Sequence, residues 1–209
     1  LIPQTALMGM SKPMVFDGVD DYVNLGTSSD IRRTDKLTYS AWVQGEGGPL
    51  IGSYYGGGDE TLINKNNTTI VWTTYADTEV SITSSANSVN INDMFHVVAV
   101  VDIASNIQKI YINGAEDGST NPGSTALQWN ESYGTLVGGR YPSSSEAFAG
   151  NINEVSIWND VLTPTEIQEL FNDGVALDAT THSASSKLVG YWRNNVLHTD
   201  GKWKDLTES

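Results

Sequence analysis

Residues 95–101, Phe-His-Val-Val-Ala-Val-Val, limit what this chain can fold into more than any other stretch. The run is short, nearly all apolar and rich in β-branched residues, as a strand buried on both faces requires. Ile107–Ile112 follows and is closed by Asn113-Gly114, the strongest short hairpin signal. The two runs are therefore expected to lie as neighbouring antiparallel strands. Leu37–Val43 alternates Leu37, Tyr39, Ala41 and Val43 against Thr38, Ser40 and Trp42. Thr69–Tyr75 sets Ile70 and Trp72 against Val71, Thr73 and Tyr75, and Thr135–Val137 and Asn153–Trp158 add further strand-like runs. Gly-rich stretches at Gly45–Gly48, Gly56–Gly58, Gly138-Gly139 and Gly150 are expected to break the strands apart. The expected class is all-β.

Composition supports this reading. Only 39% of the 209 residues are hydrophobic and 17% charged, so Gly, Ser, Thr and Asn fill much of the rest. Such residues serve turns and solvated strand faces. The net charge of −14 repels phosphate backbones and anionic membrane surfaces, so nucleic acid is not an expected partner. It attracts cations, and Ca²⁺ takes the oxygen ligands that Asp and Asn supply. Without cysteine, disulfides, thiolate catalysis and Cys-based zinc sites are excluded. No apolar run reaches the length of a membrane span, so membrane insertion is not expected. Leu1–Met10 lacks the basic and long apolar regions of a signal peptide, and the chain does not begin with Met. It is read as a piece of a longer protein.

One helix is expected. Thr163-Pro164-Thr165-Glu166 combines an N-cap Thr, Pro at the first helical position and Glu at the third. Ile167, Leu170 and Phe171 form its apolar stripe, Gly174 is placed to end it, and it should cover one end of a sandwich. Three segments are expected: 1–14 as linker or edge, 15–186 as the main domain, and 187–209 as a strand segment. That last segment, with Leu188–Arg193, closes the sandwich or opens a following repeat.

In order along the chain, Phe16–Val23, Leu37–Val43, Phe95–Asp102, Lys109–Gly114, Phe148–Trp158 and the Leu162–Phe171 helix resemble the laminin G-like branch of the concanavalin A-like lectin/glucanase superfamily. The resemblance implies a jelly-roll β-sandwich of two antiparallel sheets with one short helix. It leaves function open, because the same fold carries lectins, pentraxins, glucanases and spacer modules.

Retaining glucanases of this fold carry a Glu-x-Asp-x-x-Glu strand, whose period puts the carboxylates on one face. No such pattern occurs: Glu154 has no carboxylate two or four residues away, and Asp59-Glu60 are adjacent. His96, His182 and His198 show no Ser or Cys partner in the sequence. Catalysis is therefore not expected.

Asp17, Asp20 and Asp21 around Gly18 suit a Ca²⁺ site, completed by Glu154 or Asn153, and they equally suit local turn hydrogen bonding. Ca²⁺-binding laminin G-like and pentraxin domains lend the first reading support.

Six Trp and nine Tyr stand against four Phe. Trp42, Trp158 and Trp192 fall in strand patterns and are expected in the core. Tyr54, Tyr55, Trp72, Tyr75, Trp129 and Tyr141 fall in or beside Gly- and Asn-rich loops, where a ring could stack on a sugar. Tyr54, Tyr55, Asp59, Trp72, Arg140 and Tyr141 are the candidate ligand-binding set, and loop-end packing is the alternative role for each. Arg140 could donate to sugar hydroxyls or pair with a surface acid.

The expected function is a carbohydrate- or surface-recognition module, Ca²⁺-assisted, within a larger extracellular, cell-surface or virion-surface protein such as a bacterial or phage adhesin. Its partners would be a glycan or surface polysaccharide and the parent protein's other domains. A ligand-free decoration or spacer domain is the alternative, and a glycoside hydrolase with unrecognised carboxylates is the third.

Overall fold

The computed structural model describes residues 12–55, 59–76, 78–123, 125–130, 132–140, 146–197 and 203–207. In chain order the strands are β1 (Met14–Asp17), β2 (Val23–Gly26), β3 (Lys36–Gly45), β4 (Gly48–Tyr55), β5 (Asp59–Asn66), β6 (Thr69–Tyr75) and β7 (Glu79–Thr83). They continue with β8 (Phe95–Asp102), β9 (Ile107–Ile112), β10 (Ala115–Thr120), β11 (Thr135–Val137), β12 (Ala149–Trp158), β13 (Leu188–Leu197) and β14 (Trp203–Asp205), with helix α1 (Pro164–Phe171) between β12 and β13. One sheet runs β10-β9-β8-β3-β12-β13-β14, with β1 also paired to β12. The other runs β2-β11-β4-β5-β6-β7. All pairings are antiparallel.

β8 is buried at every residue, as its composition requires. Val97, Ala99 and Val101 enter the core between the sheets, with Tyr39, Val43, Ile63 and Trp72. Val98 and Val100 point the other way, into a second cluster with Tyr111, Trp158, Ile167 and Leu170. β9 lies beside β8 in antiparallel register. Both residues of the closing turn have positive φ, Asn113 at 51° and Gly114 at 79°, as a tight hairpin turn demands.

The second cluster corrects the expected position of α1. The helix lies over the outer face of the eight-stranded sheet, not over an end of the sandwich. Its apolar stripe needs a wide apolar partner, and Val98, Val100 and Trp158 supply one. The capping box forms as predicted: Thr163 Oγ1 accepts from Glu166 N, and Glu166 Oε2 accepts from Thr163 N at 2.6 Å. The helix ends earlier than expected, because Asn172 already takes the left-handed conformation and caps it.

Gly150 does not break a strand. It lies within β12, opposite Gly45 of β3, and a Cβ there would come within 2.2 Å of Gln44 O. Glycine is needed for this close backbone approach. β13 pairs with β12 and contributes Trp192 to the inner core and Tyr191 to the outer cluster. Trp42, Trp158 and Trp192 are buried, as their strand positions predict.

Candidate functional site

The strand registers bring several loops together at one end of the sandwich. Gly45 and Gly48 flank the β3–β4 turn, and Glu46 N donates to Ala149 O at 2.8 Å. β11 runs out beside β4, so Gly138 N donates to Leu50 O, and Phe148 N returns to Gly138 O. The β1–β2 loop packs here too. Gly18 sits against Ala149, and Gly139 sits against Tyr22 and Asp21 O.

Between these loops lies an open groove of 420 Å³. Asn64, Val71 and Thr73 form its floor on the outer face of the six-stranded sheet, and Gly47, Arg140 and Glu146 form its sides. Arg140 pairs with Glu146, which holds the guanidinium at the groove wall. The Lys65 stem is buried, and its ammonium donates to Asn67 O at the groove's end. Burial pulls the Lys65 pKa below its ordinary value, against the pull of Glu46. The lining is thus mostly amide, hydroxyl and charged groups, the donors and acceptors a polyol needs.

Beside the groove, Asp17, Asp20 and Asp21 each offer an oxygen within 4.8 Å of the others, and all three are exposed. The cluster also performs turn chemistry: Asp21 Oδ2 accepts from Asp17 N at 3.0 Å, and Asp17 Oδ1 accepts from Val19 N at 2.8 Å. Both readings of the sequence thus remain compatible with the loop. Tyr22 follows directly and is 51% exposed. Sequence reasoning did not select it, although an aromatic residue next to paired Asp residues was a readable signal.

Glu154 does not belong to this cluster, which corrects the expectation for it and for Asn153. Asp17 pairs with Ala149, and Glu154 lies five residues further along β12, about 16 Å at the rise of a strand. Glu154 also has another partner set. The β12–β3 register shifts between Asn153 and Ser156, and Glu154 has φ 50°, a β-bulge. Ile152 and Val155 both enter the inner core, so the bulge turns the two polar residues between them away from it. Glu154 is 4% exposed, accepts from Tyr191 Oη, and meets Arg193 Nη2 at 3.0 Å. Arg193 also pairs with Asp178 at 3.0 Å. Without such partners a buried carboxylate would carry a large desolvation cost.

Trp72 is a second correction. It is 0% exposed, packs edge-on against Tyr39 and donates its Nε1–H to Val100 O, so its ring is core and cannot stack on a ligand. Its side of the period-two pattern faces the opposite sheet.

The remaining expected ligand residues divide. Tyr55 pairs with Asp59 at the far end of β4 and β5, whereas Gly48 pairs with Lys65 at the groove end. Tyr54, Tyr55 and Asp59 thus lie about 20 Å of strand away from Arg140, and these residues form no single site. The Tyr54, Tyr55 and Asp59 side chains, like Tyr141 and His198, lie outside the described residues. Tyr75 is half-buried, and Trp129 packs against the core with its Nε1 donating to Arg33 O and Arg32 over its ring.

One pairing was missed entirely. His96 Nε2 lies 2.8 Å from Ser40 Oγ across the β8–β3 ladder. Both are buried, and Trp42 and Phe171 stack on the imidazole beneath α1. A nucleophilic serine needs access to substrate, and this one is sealed.

Two antiparallel sheets packed face to face, with a polar loop groove at one end, define a lectin-type sandwich. A laminin G-type family profile, described as the concanavalin A-like lectin/glucanases superfamily, matches residues 17–168, and the chain belongs to this family. No curated protein matches the sequence. Among solved structures, a protein of Bacteroides ovatus provisionally described as carbohydrate-binding superposes with a TM-score of 0.72 at 16% identity. The match covers 96% of this chain but only 56% of that protein. The IT-sialidase CBM40 of Ruminococcus gnavus, bound to α2,3 sialyllactose, superposes with a TM-score of 0.62 at 12% identity, covering 78% and 96% of the two chains. A heptameric SAP-like pentraxin of Limulus polyphemus gives 0.55 at 14% identity, covering 75% and 80%. At these identities the likeness establishes the fold.

Proposed function

We propose that this domain is a non-catalytic carbohydrate-recognition module that binds glycan at the loop groove beside Tyr22. The observation that carries this reading is the juxtaposition at one edge. An exposed aromatic ring, three exposed carboxylates and a groove with Arg140, Asn64 and Thr73 lie around the same loops. A sugar ring offers apolar C–H faces to an aromatic and hydroxyls to amides, carboxylates and guanidinium. The similarity to sandwiches whose descriptions name carbohydrate binding and sialyllactose adds support.

Ca²⁺ at Asp17, Asp20 and Asp21 is part of the proposal. Hard carboxylate oxygens at this spacing suit the ion, and the cation would offset the mutual repulsion of the three acids. The natural setting of such a module is a larger surface or secreted protein, with other domains attached.

Glycan-array binding in millimolar Ca²⁺ and in chelator tests the reading. Binding should appear in Ca²⁺, and Tyr22→Ala and Arg140→Ala should each weaken it by roughly tenfold; for Tyr22→Ala the melting temperature should stay nearly unchanged, because an exposed side chain contributes little to the core. An array without binding, or variants that bind as the parent does, rejects the site. Chelator should lower the melting temperature, since a ligand held only by the native state stabilises it. Identical melting curves with and without chelator reject the Ca²⁺ site and leave the glycan reading to the array.

A further inference from the structure

A layer of hydroxyls lies inside the sandwich, where the strand pattern calls for apolar side chains. Ser53 shares a face with Ile51, Thr61 with Ile63 and Thr135 with Val137, and all three apolar residues are inner core. Ser53 and Thr61 are register partners on β4 and β5. Leu136 of β11 lies opposite Gly52 of β4, which brings Thr135 beside Ser53. From the facing sheet, Tyr39 points at the same row, with its hydroxyl against that of Thr135 and near the Arg32 charge. The four residues are at most 1% exposed.

Among the described residues, Ser53 Oγ and Thr61 Oγ1 have no hydrogen-bond partner, and Tyr39 Oη and Thr135 Oγ1 have only each other within reach. The next position in the row behaves differently. Thr74 Oγ1 donates to Gln108 Oε1 at 3.0 Å, and Gln108 Nε2 donates to Trp72 O and Val80 O. The fold thus satisfies half of this polar layer with protein groups and leaves the other half to something else. Buried hydroxyls left short of partners in this way would carry a desolvation cost. Buried polar groups in native proteins almost always find a partner, and ordered water is the usual one.

We propose that Tyr39, Ser53, Thr61 and Thr135 form an internal hydration site, in which one or more ordered waters bridge the two sheets. The nearby Arg32 charge disfavours a metal cation there, whereas a neutral molecule that both donates and accepts suits hydroxyls from four strands. The site is independent of the glycan reading. It accounts for Ser and Thr at inward positions where Val would otherwise pack.

A high-resolution crystal structure of the whole chain should show a water within about 2.6–3.2 Å of at least two of these oxygens. Thr61→Val keeps shape and removes one bridging partner, and it should lower the melting temperature by about 2–4 °C. Ser53→Ala should do the same. If the hydroxyls are merely orphaned, Thr61→Val removes a buried polar group at no loss and the protein becomes as stable or more so. That result, or density showing no water at the site, overturns the proposal. Should Thr61→Val fail to fold, the electron density alone decides.

Discussion

His96 shows how far a single residue's behaviour depends on what covers it. Its imidazole bonds Ser40 and packs in one cluster with Trp42 and Phe171, which also stack on each other. Burial pulls its pKa down to about 3, from the ordinary 6.5. The folded protein therefore keeps this ring neutral where the unfolded chain would protonate it. Stability should be full above about pH 6.5 and fall as pH drops from there toward 3. In an NMR titration the His96 ring resonances should stay at their neutral positions down to about pH 4. Titration near pH 6.5 in the folded state would contradict the buried stack. A second residue-scale point concerns Glu154 and Trp72. Both looked available for ligands in the sequence, and both are committed to the fold, one to Arg193 and Tyr191, the other to the inner core.

Among the elements, α1 is the one whose start was legible residue by residue. Its cap is local, made by Thr163 and Glu166 three positions apart, so no tertiary information was needed. Glu166 also meets Lys187 at 3.0 Å, which ties the helix to the segment leading into β13. Thr163→Ala should cost about 1 kcal/mol, or about 2–4 °C in melting temperature, read by thermal denaturation. An unchanged transition would mean that packing of Ile167 and Leu170 alone holds the helix. The helix's seat was not legible, because nothing local distinguishes an end of the sandwich from the outer sheet face. The bulge in β12 was hidden for a similar reason: Asn153-Glu154 reads as ordinary alternation until the register with β3 is known.

At the scale of the whole molecule, the sandwich has two outer faces with different uses. The eight-stranded sheet is covered by α1 and the segment leading to β13, which seal Ser40 and His96 from solvent. The loop end with Tyr22 and Arg140 is left open. The acidic residues follow this division: Glu154 is paired with Arg193 inside its network, while Asp17, Asp20 and Asp21 face water. Glycoside hydrolysis needs an acid and a second carboxylate flanking a substrate bond within a cleft. The expected outcome is therefore no release of reducing sugar from β-glucans. Release that a single carboxylate substitution abolishes would overturn the non-catalytic reading.

The sequence by itself determined what is local. The buried strand at 95–101, the Asn113-Gly114 hairpin, the capping box and the all-β class follow from periodicity, turn chemistry and side-chain reach over a few residues. The Asp17, Asp20, Asp21 cluster was legible for the same reason, since five consecutive positions around a turn cannot be far apart. Tertiary structure decided everything that depends on strand register. Register moved Tyr54, Tyr55 and Asp59 to the end opposite Arg140, buried Trp72, separated Glu154 from the acidic loop and brought Ser40 to His96. Each of these contacts joins residues whose adjacency is set by hydrogen-bond ladders between distant segments, and a shift of one residue in a ladder would send every side chain to the other face.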